Sequence, residues 1–109
     1  MSAEVVLAVY RPKPGKDAAL LEIVKRHLPA LRRHGLITNR APMLLRSKDA
    51  YIEIFEWVSN EAAGKAHTTP QVAEIWAAMG EVAEFPALGE LVEAQGRFPH
   101  FVAVDGVLE

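Results

Sequence analysis

The stretch from Asp49 to Trp76 contains an imidazole and two indole rings, those of His67, Trp57 and Trp76. An imidazole titrates near neutral pH, so it can act as a base or as a hydrogen-bond donor to a bound phenol. Indole rings can flank a flat ligand by stacking. Because Trp57 ends a predicted strand, His67 lies in a break and Trp76 lies on the following helix, we expect all three near one end of one layer.

Each of these side chains also has a purely structural interpretation. His67 can stabilise the break at Thr68-Thr69-Pro70 by bonding to the backbone, and Trp76 lies on an apolar stripe that favours core packing. Trp57, at a strand end, fits a pocket or the core about equally well. The functional hypothesis is an apolar pocket with His67 as proton acceptor and walls formed by Trp57, Trp76, Phe55, Met79 and Tyr10, although edge packing is the default role of this tyrosine.

Two carboxylates, those of Glu53 and Glu56, lie on opposite faces of the strand that ends at Trp57, so at least one must point towards a covered surface. A covered carboxylate needs a partner, and Arg46, across a predicted hairpin, is a candidate. An ion pair at the seam of a dimer is the favoured interpretation. The alternative is an acid within the pocket.

Composition excludes several classes of function. The 109 residues form a single domain, residues 1–109, with 50% hydrophobic residues and a net charge of −2. The basic residues cluster only as Lys25-Arg26 and Arg32-Arg33 on a solvated helix face, so a nucleic-acid groove is not expected. Thiolate chemistry is excluded because the chain has no cysteine. The remaining histidines lack metal-binding spacing, so a metal site is not expected; these are His27, His34 and His100.

Hydrophobic periodicity predicts the order strand, helix, strand, strand, helix, strand. The predicted strands are Glu4 to Tyr10, Ala41 to Ser47, Tyr51 to Val58 and Phe98 to Val104. The first helix should run from Lys16 to His34, with a kink near Lys25 to Leu28 or a restart at Pro29. The second should begin with a turn at Glu61 to Lys65 and resume at Pro70. This order predicts an α+β, ferredoxin-like βαββαβ fold with a four-stranded antiparallel sheet.

Two helices can cover only one face of such a sheet. The uncovered face should then carry polar residues at alternate positions, yet the first, third and last predicted strands are apolar on both faces. An exposed patch of that size is unusual for a soluble monomer. We therefore expect a homodimer in which two sheets close face to face. With no targeting segment and no membrane-spanning run, the sequence predicts a soluble, cytoplasmic protein without a membrane partner.

Three segments resemble a known family. Residues 51–57 read Tyr-Ile-Glu-Ile-Phe-Glu-Trp, residues 59–62 read Ser-Asn-Glu-Ala, and residues 66–72 read Ala-His-Thr-Thr-Pro-Gln-Val. This series resembles the dimeric α+β barrel superfamily, especially the antibiotic-biosynthesis-monooxygenase-like (ABM) proteins. Those proteins have a strand that ends in Trp, then a helix with an acidic start, and then an Ala-His segment followed by Thr-Pro. The resemblance implies two ferredoxin-like sheets paired into a barrel.

The same resemblance implies oxidation of a small aromatic or quinol-like molecule by dioxygen, without a metal or flavin, in a pocket between helices and sheet. The chain would then be a cofactor-independent monooxygenase, an oxidoreductase. The alternative is a non-catalytic homodimer that binds a small apolar molecule or is purely structural. A related branch degrades haem with an Asn on its first strand, where this chain has Val-Val-Leu-Ala-Val, so haem binding is the less favoured third hypothesis.

Overall fold

The computed structural model describes residues 2–108 and has an α+β fold. Two main helices pack against one face of an antiparallel sheet. Two short 3-10 turns, Leu88–Glu90 and Glu93–Gln95, lie in the segment that follows the last helix. In chain order the elements are β1 (Glu4–Pro12), α1 (Asp17–Arg33), β2 (Met43–Arg46), β3 (Tyr51–Trp57), α2 (Ala62–His67), α3 (Pro70–Val82), β4 (Ala83–Glu84) and β5 (Val102–Ala103).

Helix α1 has the charge distribution and the end signals of a stable surface helix. Asp17 lies in its first turn and Arg32 and Arg33 in its last, where each charge complements the helix dipole. Gly35 follows with φ +70°, a left-handed conformation that glycine adopts without strain. The restart considered at Pro29 does not occur. Helix α1 is continuous through Pro29, which lies on the exposed side, where water can reach the carbonyl that the proline leaves without a donor.

The sheet has the strand order β4-β1-β3-β2-β5, and every neighbouring pair is antiparallel. Strands β1 and β3 pair along their length, from Glu4 opposite Trp57 to Tyr10 opposite Tyr51. The predicted hairpin of β2 and β3 is confirmed, and its turn is closed by the Ser47 N–H, which donates to the Ala50 carbonyl at 2.8 Å.

The predicted sheet of four strands is wrong in number, because the described residues form five. The short β4 pairs with β1 only at Arg11 and Pro12. The predicted last strand, Phe98 to Val104, is reduced to Val102–Ala103, and it lies beside β2 at the far edge. Pro99 explains part of this, because proline cannot donate to a ladder of backbone hydrogen bonds.

The two faces of the sheet are covered to different extents. Helices α1 and α3 pack on one face and bury side chains such as Leu20, Val24, Val72 and Met79. On the other face, the segment after β4 covers only one half, where Leu91 packs against Val9, Ala50 and Ile52. The other half, which we call the open face, has the partly exposed apolar side chains Val5, Leu7, Met43 and Ile54. No helix formed by residues 2–108 is both long enough and apolar enough to cross a membrane.

Candidate functional site

A cavity of about 280 Å³ lies between the sheet and the helices that cover it. This volume is at the lower end of the range for small-molecule sites. Its walls are almost entirely apolar or aromatic, and they are formed by Val6, Ala8, Tyr10, His27, Phe55, Trp57, Trp76, Met79 and Phe85. The cavity can therefore hold a small apolar molecule.

The period of two along each strand explains the floor of the cavity. Val6, Ala8 and Tyr10 alternate along β1 and point to the same face of the sheet, as do Phe55 and Trp57 on β3. The roof comes from the helices, because His27 lies on the buried stripe of α1 and Trp76 and Met79 lie one turn apart on α3. The wall therefore combines side chains that are far apart in sequence.

Four side chains at this wall form a continuous chain of hydrogen bonds, which we call the buried relay: Trp76, His27, Glu53 and Tyr10. The Trp76 Nε1–H donates to His27 Nε2 at 2.9 Å. On the other side of the imidazole, His27 Nδ1 lies 2.8 Å from Glu53 Oε1. The Tyr10 hydroxyl donates to the same carboxyl oxygen, also at 2.8 Å.

This pattern assigns the protonation state of His27. An indole N–H can only donate, so His27 Nε2 must carry a lone pair. The single proton of the neutral imidazole then lies on Nδ1 and is donated to Glu53 Oε1. Glu53 thus fixes both the tautomer and the orientation of the ring, and the basic nitrogen is the one nearest to Trp76.

Glu53 is fully buried, although it lies on a strand whose neighbouring side chains on this face are aromatic. Across the β1–β3 pair it faces Ala8, whose small side chain leaves room for it. Its Oε1 accepts two hydrogen bonds, whereas Oε2 has no partner among residues 2–108. A buried carboxyl is costly, and an apolar side chain of similar volume commonly gives equal or greater stability. Its two hydrogen bonds fix the positions of the Tyr10 hydroxyl and the His27 ring.

Tyr10 supplies the second donor to Glu53. Burial raises the pKa of the Tyr10 hydroxyl well above its usual value, and the negative charge and hydrogen bond of Glu53 raise this pKa further. Tyr10 therefore remains protonated throughout the neutral range. It can hold its hydrogen bond to the carboxyl under any condition in which His27 acts as a base.

Aromatic contacts hold the sheet side of the wall and the His27 ring in place. The rings of Phe55 and Trp57 meet edge to face with centroids 5.1 Å apart, and Phe55 meets His27 in the same way at 5.7 Å. Tyr10 contacts Phe85 at 5.9 Å. Such arrangements are the preferred packing of aromatic rings, so the site is largely formed before a ligand enters.

The structure brings together most of the residues that the sequence singled out. Tyr10, Phe55, Trp57, Trp76 and Met79 line one cavity. His67, the predicted proton acceptor, does not line it. Its side chain is exposed, and its ring meets that of Trp76 edge to face at 4.8 Å. The reason is local, because His67 is the last residue of α2.

Sequence reasoning passed over His27 as a site residue. Its signal was its position on the buried stripe of α1, between Val24 and Leu31, which is an unusual place for a polar side chain. Glu53, considered from the sequence as a possible pocket acid, is buried behind His27 and does not itself line the cavity. The suggested partner Arg46 is wrong. Arg46 instead donates to the hydroxyl of Tyr51 and lies near Asp17.

The described residues contain no group of three His, Asp or Glu side chains arranged to hold a metal ion. Comparisons with protein-family models, with curated proteins and with solved structures found no match to this chain. The resemblance to the ABM proteins therefore stays a prediction from the sequence.

Proposed function

We propose that this protein binds a small, uncharged aromatic or quinol-like molecule in the cavity and oxidises it with dioxygen, with His27 as the proton acceptor. The observation that supports this proposal most directly is the buried relay, because it presents a neutral imidazole with a basic nitrogen at an otherwise apolar wall. An imidazole oriented by a carboxyl group is a common form of general base.

The first chemical step would be transfer of a hydroxyl proton from the substrate to His27 Nε2. The imidazolium that forms is stabilised by Glu53, which accepts its Nδ1–H. The electron-rich anion left in the cavity can then transfer electrons to dioxygen. One oxygen atom would enter the product as a carbonyl at a ring C–H position. The other would leave as water with the single hydrogen of that carbon and the hydroxyl proton that His27 gives back, so that a phenol and O2 yield a quinone and water.

The charge of the wall favours a neutral substrate. Among residues 2–108, neither a Lys nor an Arg lines the cavity, while Glu53 lies directly behind His27. A carboxylate substrate would therefore lose its hydration without gaining a cationic partner. A hydroquinone or phenol loses little on entry and becomes charged only when His27 removes its proton.

We also propose that two copies pair through the open face, as the sequence predicts for a dimeric barrel. Leu7, Ile54 and Met43 are directly opposite one another on β1, β3 and β2, so they form an apolar row across three strands. Leu7 and Met43 are 45% and 51% exposed. An uncharged row of this kind is self-complementary, as an interface between two copies related by a two-fold axis requires.

Oxygen uptake with a panel of hydroquinones and phenols tests the function. We expect turnover in the wild type and a fall in kcat of about 100-fold or more in His27→Ala, the usual range for loss of a general base. His67→Ala is the informative control, because it removes the exposed imidazole beside Trp76 and leaves the relay intact. Equal loss in both variants, or loss in His67→Ala alone, would contradict the role of His27.

Binding without turnover would support the alternative function, a non-catalytic binding protein. Isothermal titration with the same compounds separates the two functions, because ligand binding does not depend on oxygen chemistry. If the cavity binds phenols but no compound in the panel consumes oxygen, the oxidation proposal fails and the binding proposal stands.

A further inference from the structure

The basic nitrogen of His27 is already occupied in this structure. Its lone pair accepts the Trp76 indole N–H at 2.9 Å, and both rings line the cavity. A substrate hydroxyl cannot donate to Nε2 while that contact persists, because a single lone pair accepts one such hydrogen bond. Any proton transfer to His27 therefore requires Trp76 to change its position or its partner.

We propose that Trp76 is a second catalytic residue, whose indole N–H caps the base when the cavity is empty and stabilises the ligand oxyanion when it is full. The inference rests on the proposed function, because it assigns a role at the same cavity. A ligand hydroxyl inserts between the two rings, accepts from Trp76 Nε1–H and donates to His27 Nε2. Both nitrogens thus keep a partner.

Each proton in this arrangement has a defined position after the transfer. His27 Nε2 takes the hydroxyl proton, Nδ1 keeps its own proton and donates it to Glu53, and the ligand oxygen keeps the Trp76 N–H as its donor. A donor aimed at an oxygen on which charge develops is a common means of stabilising an anion in a site shielded from water. No oxidant is needed for this step, since it is a proton transfer only.

The surroundings of Trp76 allow the required movement. Its side chain is only partly buried, unlike His27 and Glu53. It packs against the core on its inner side, and it also meets the exposed ring of His67 at 4.8 Å. His27 is held from the opposite side by Glu53, which is fixed in turn by Tyr10. The indole is therefore the more mobile partner of the pair, and the imidazole stays in place.

The arrangement also defines which ligands the site selects. A phenolic hydroxyl both accepts and donates, so it replaces the Trp76–His27 contact without leaving either nitrogen unpaired. An ether of the same shape can accept from Trp76 but leaves His27 Nε2 buried without a donor, which is costly. We expect 2-naphthol to bind about tenfold more tightly than its methyl ether, as expected for one buried group left without a partner.

Titration of bound 2-naphthol, followed by its naphtholate absorbance, tests the role of Trp76 directly. At a fixed pH we expect the ratio of bound naphtholate to bound naphthol to fall about tenfold in Trp76→Phe, because the oxyanion loses its donor. The titratable groups around the ligand are His27, Glu53 and Tyr10, with His67 beside Trp76. All of them are retained in the variant.

Trp57→Phe is the matched control. Trp57 lines the same cavity, but no side-chain hydrogen bond joins it to the relay among the described residues. Its substitution should change the affinity for naphthol and leave the naphtholate ratio unaltered. An unchanged ratio in Trp76→Phe, or an equal fall in both variants, would overturn the proposal.

The binding readout separates this proposal from the oxidation proposal. Failure of 2-naphthol to bind the wild type would overturn the role of Trp76, whereas oxygen uptake with other phenols would still support the function. Conversely, the expected naphtholate ratios without any oxygen uptake would support Trp76 and contradict the monooxygenase.

Discussion

The two faces of strand β3 each carry a carboxyl group, and the two groups differ in burial and in hydrogen-bond partners. Glu53, on the face covered by the helices, is fully buried and bonds to the neutral side chains of Tyr10 and His27. Glu56, on the opposite face, reaches solvent and accepts from Thr38 and Arg40, which lower its pKa. The solvated carboxyl has a cation beside it, while the buried one orients an imidazole. The covered face is therefore organised around the relay.

The face of the sheet away from the helices leaves some of its apolar side chains exposed. Where Leu91 covers it, Val9 and Ile52 are buried, but Val5 and Leu7 on the same strand are 51% and 45% exposed. A soluble protein rarely leaves an apolar row uncovered. We propose that the covered face serves ligand binding and the open face serves assembly, and each half of this proposal can be tested separately.

The largest effect should come from removing the carboxyl on the covered face. Glu53→Ala leaves two neutral donors, the Tyr10 hydroxyl and the His27 Nδ1–H, buried without an acceptor, so we expect a loss of about 2–6 kcal/mol in the free energy of unfolding. Urea denaturation measures it. Glu56→Ala, on the same strand, is the control and should lose far less, because its partners can turn to water. Similar losses would show that the two faces do not differ.

The covered half of the opposite face should depend on Leu91. This side chain is 1% exposed, whereas its neighbour Val92 is 74% exposed. Leu91→Ala should lower the free energy of unfolding by about 2–4 kcal/mol, since it opens a cavity against Val9 and Ile52. Val92→Ala should change it little. If both substitutions were equally mild, the segment after β4 would not be held on the sheet.

The open face should respond through assembly instead. Leu7→Asp places a charge in the middle of the apolar row, and we expect the dissociation constant of the dimer to rise about 100-fold or more, as burial of one leucine implies. Analytical ultracentrifugation measures this constant. Val102→Asp is the control, because Val102 is 68% exposed and pairs with Arg46 on the other face. A wild type that sediments as a monomer at micromolar concentration would contradict the dimer.

The smallest effect concerns the pH dependence of stability. Because the pKa of Tyr10 is raised in the folded state, the unfolded state releases this proton first as the pH passes the ordinary value of 10.0. The free energy of unfolding should therefore fall with rising pH above that value. In Tyr10→Phe the decline should be shallower, though not absent, since the pKa of Tyr51 is also raised. An equal alkaline decline in both proteins would show that Tyr10 is not buried against Glu53.

Local sequence patterns predicted the elements well where a single period dominates. The period of two in β1 and β3 and the apolar stripe of α1 place the strands and the helix close to their observed limits. The last strand was harder to predict, because its apolar run contains Pro99 and its partner, β2, lies far away in sequence. Its length depends on that pairing as well as on its own residues.

The residues of the candidate site also fall into those that local sequence patterns predicted and those that they did not. The sequence indicated the aromatic residues and Met79 of the cavity, because strand alternation and helical spacing direct their side chains inwards. It could not indicate His27, which lies 26 residues from Glu53 and 49 from Trp76. A hydrogen bond between such distant residues depends on how α1 crosses the sheet.

The sequence by itself determined an α+β domain with more apolar strand surface than two helices can cover and with aromatic residues on the covered side. Only the tertiary structure decided which imidazole lies at the cavity. His27 and His67 are both histidines near an indole in space, but one is fixed by a buried carboxyl and the other is exposed. The reason is physical: periodicity directs a side chain to a face, whereas orientation and protonation depend on partners that folding brings within hydrogen-bonding distance.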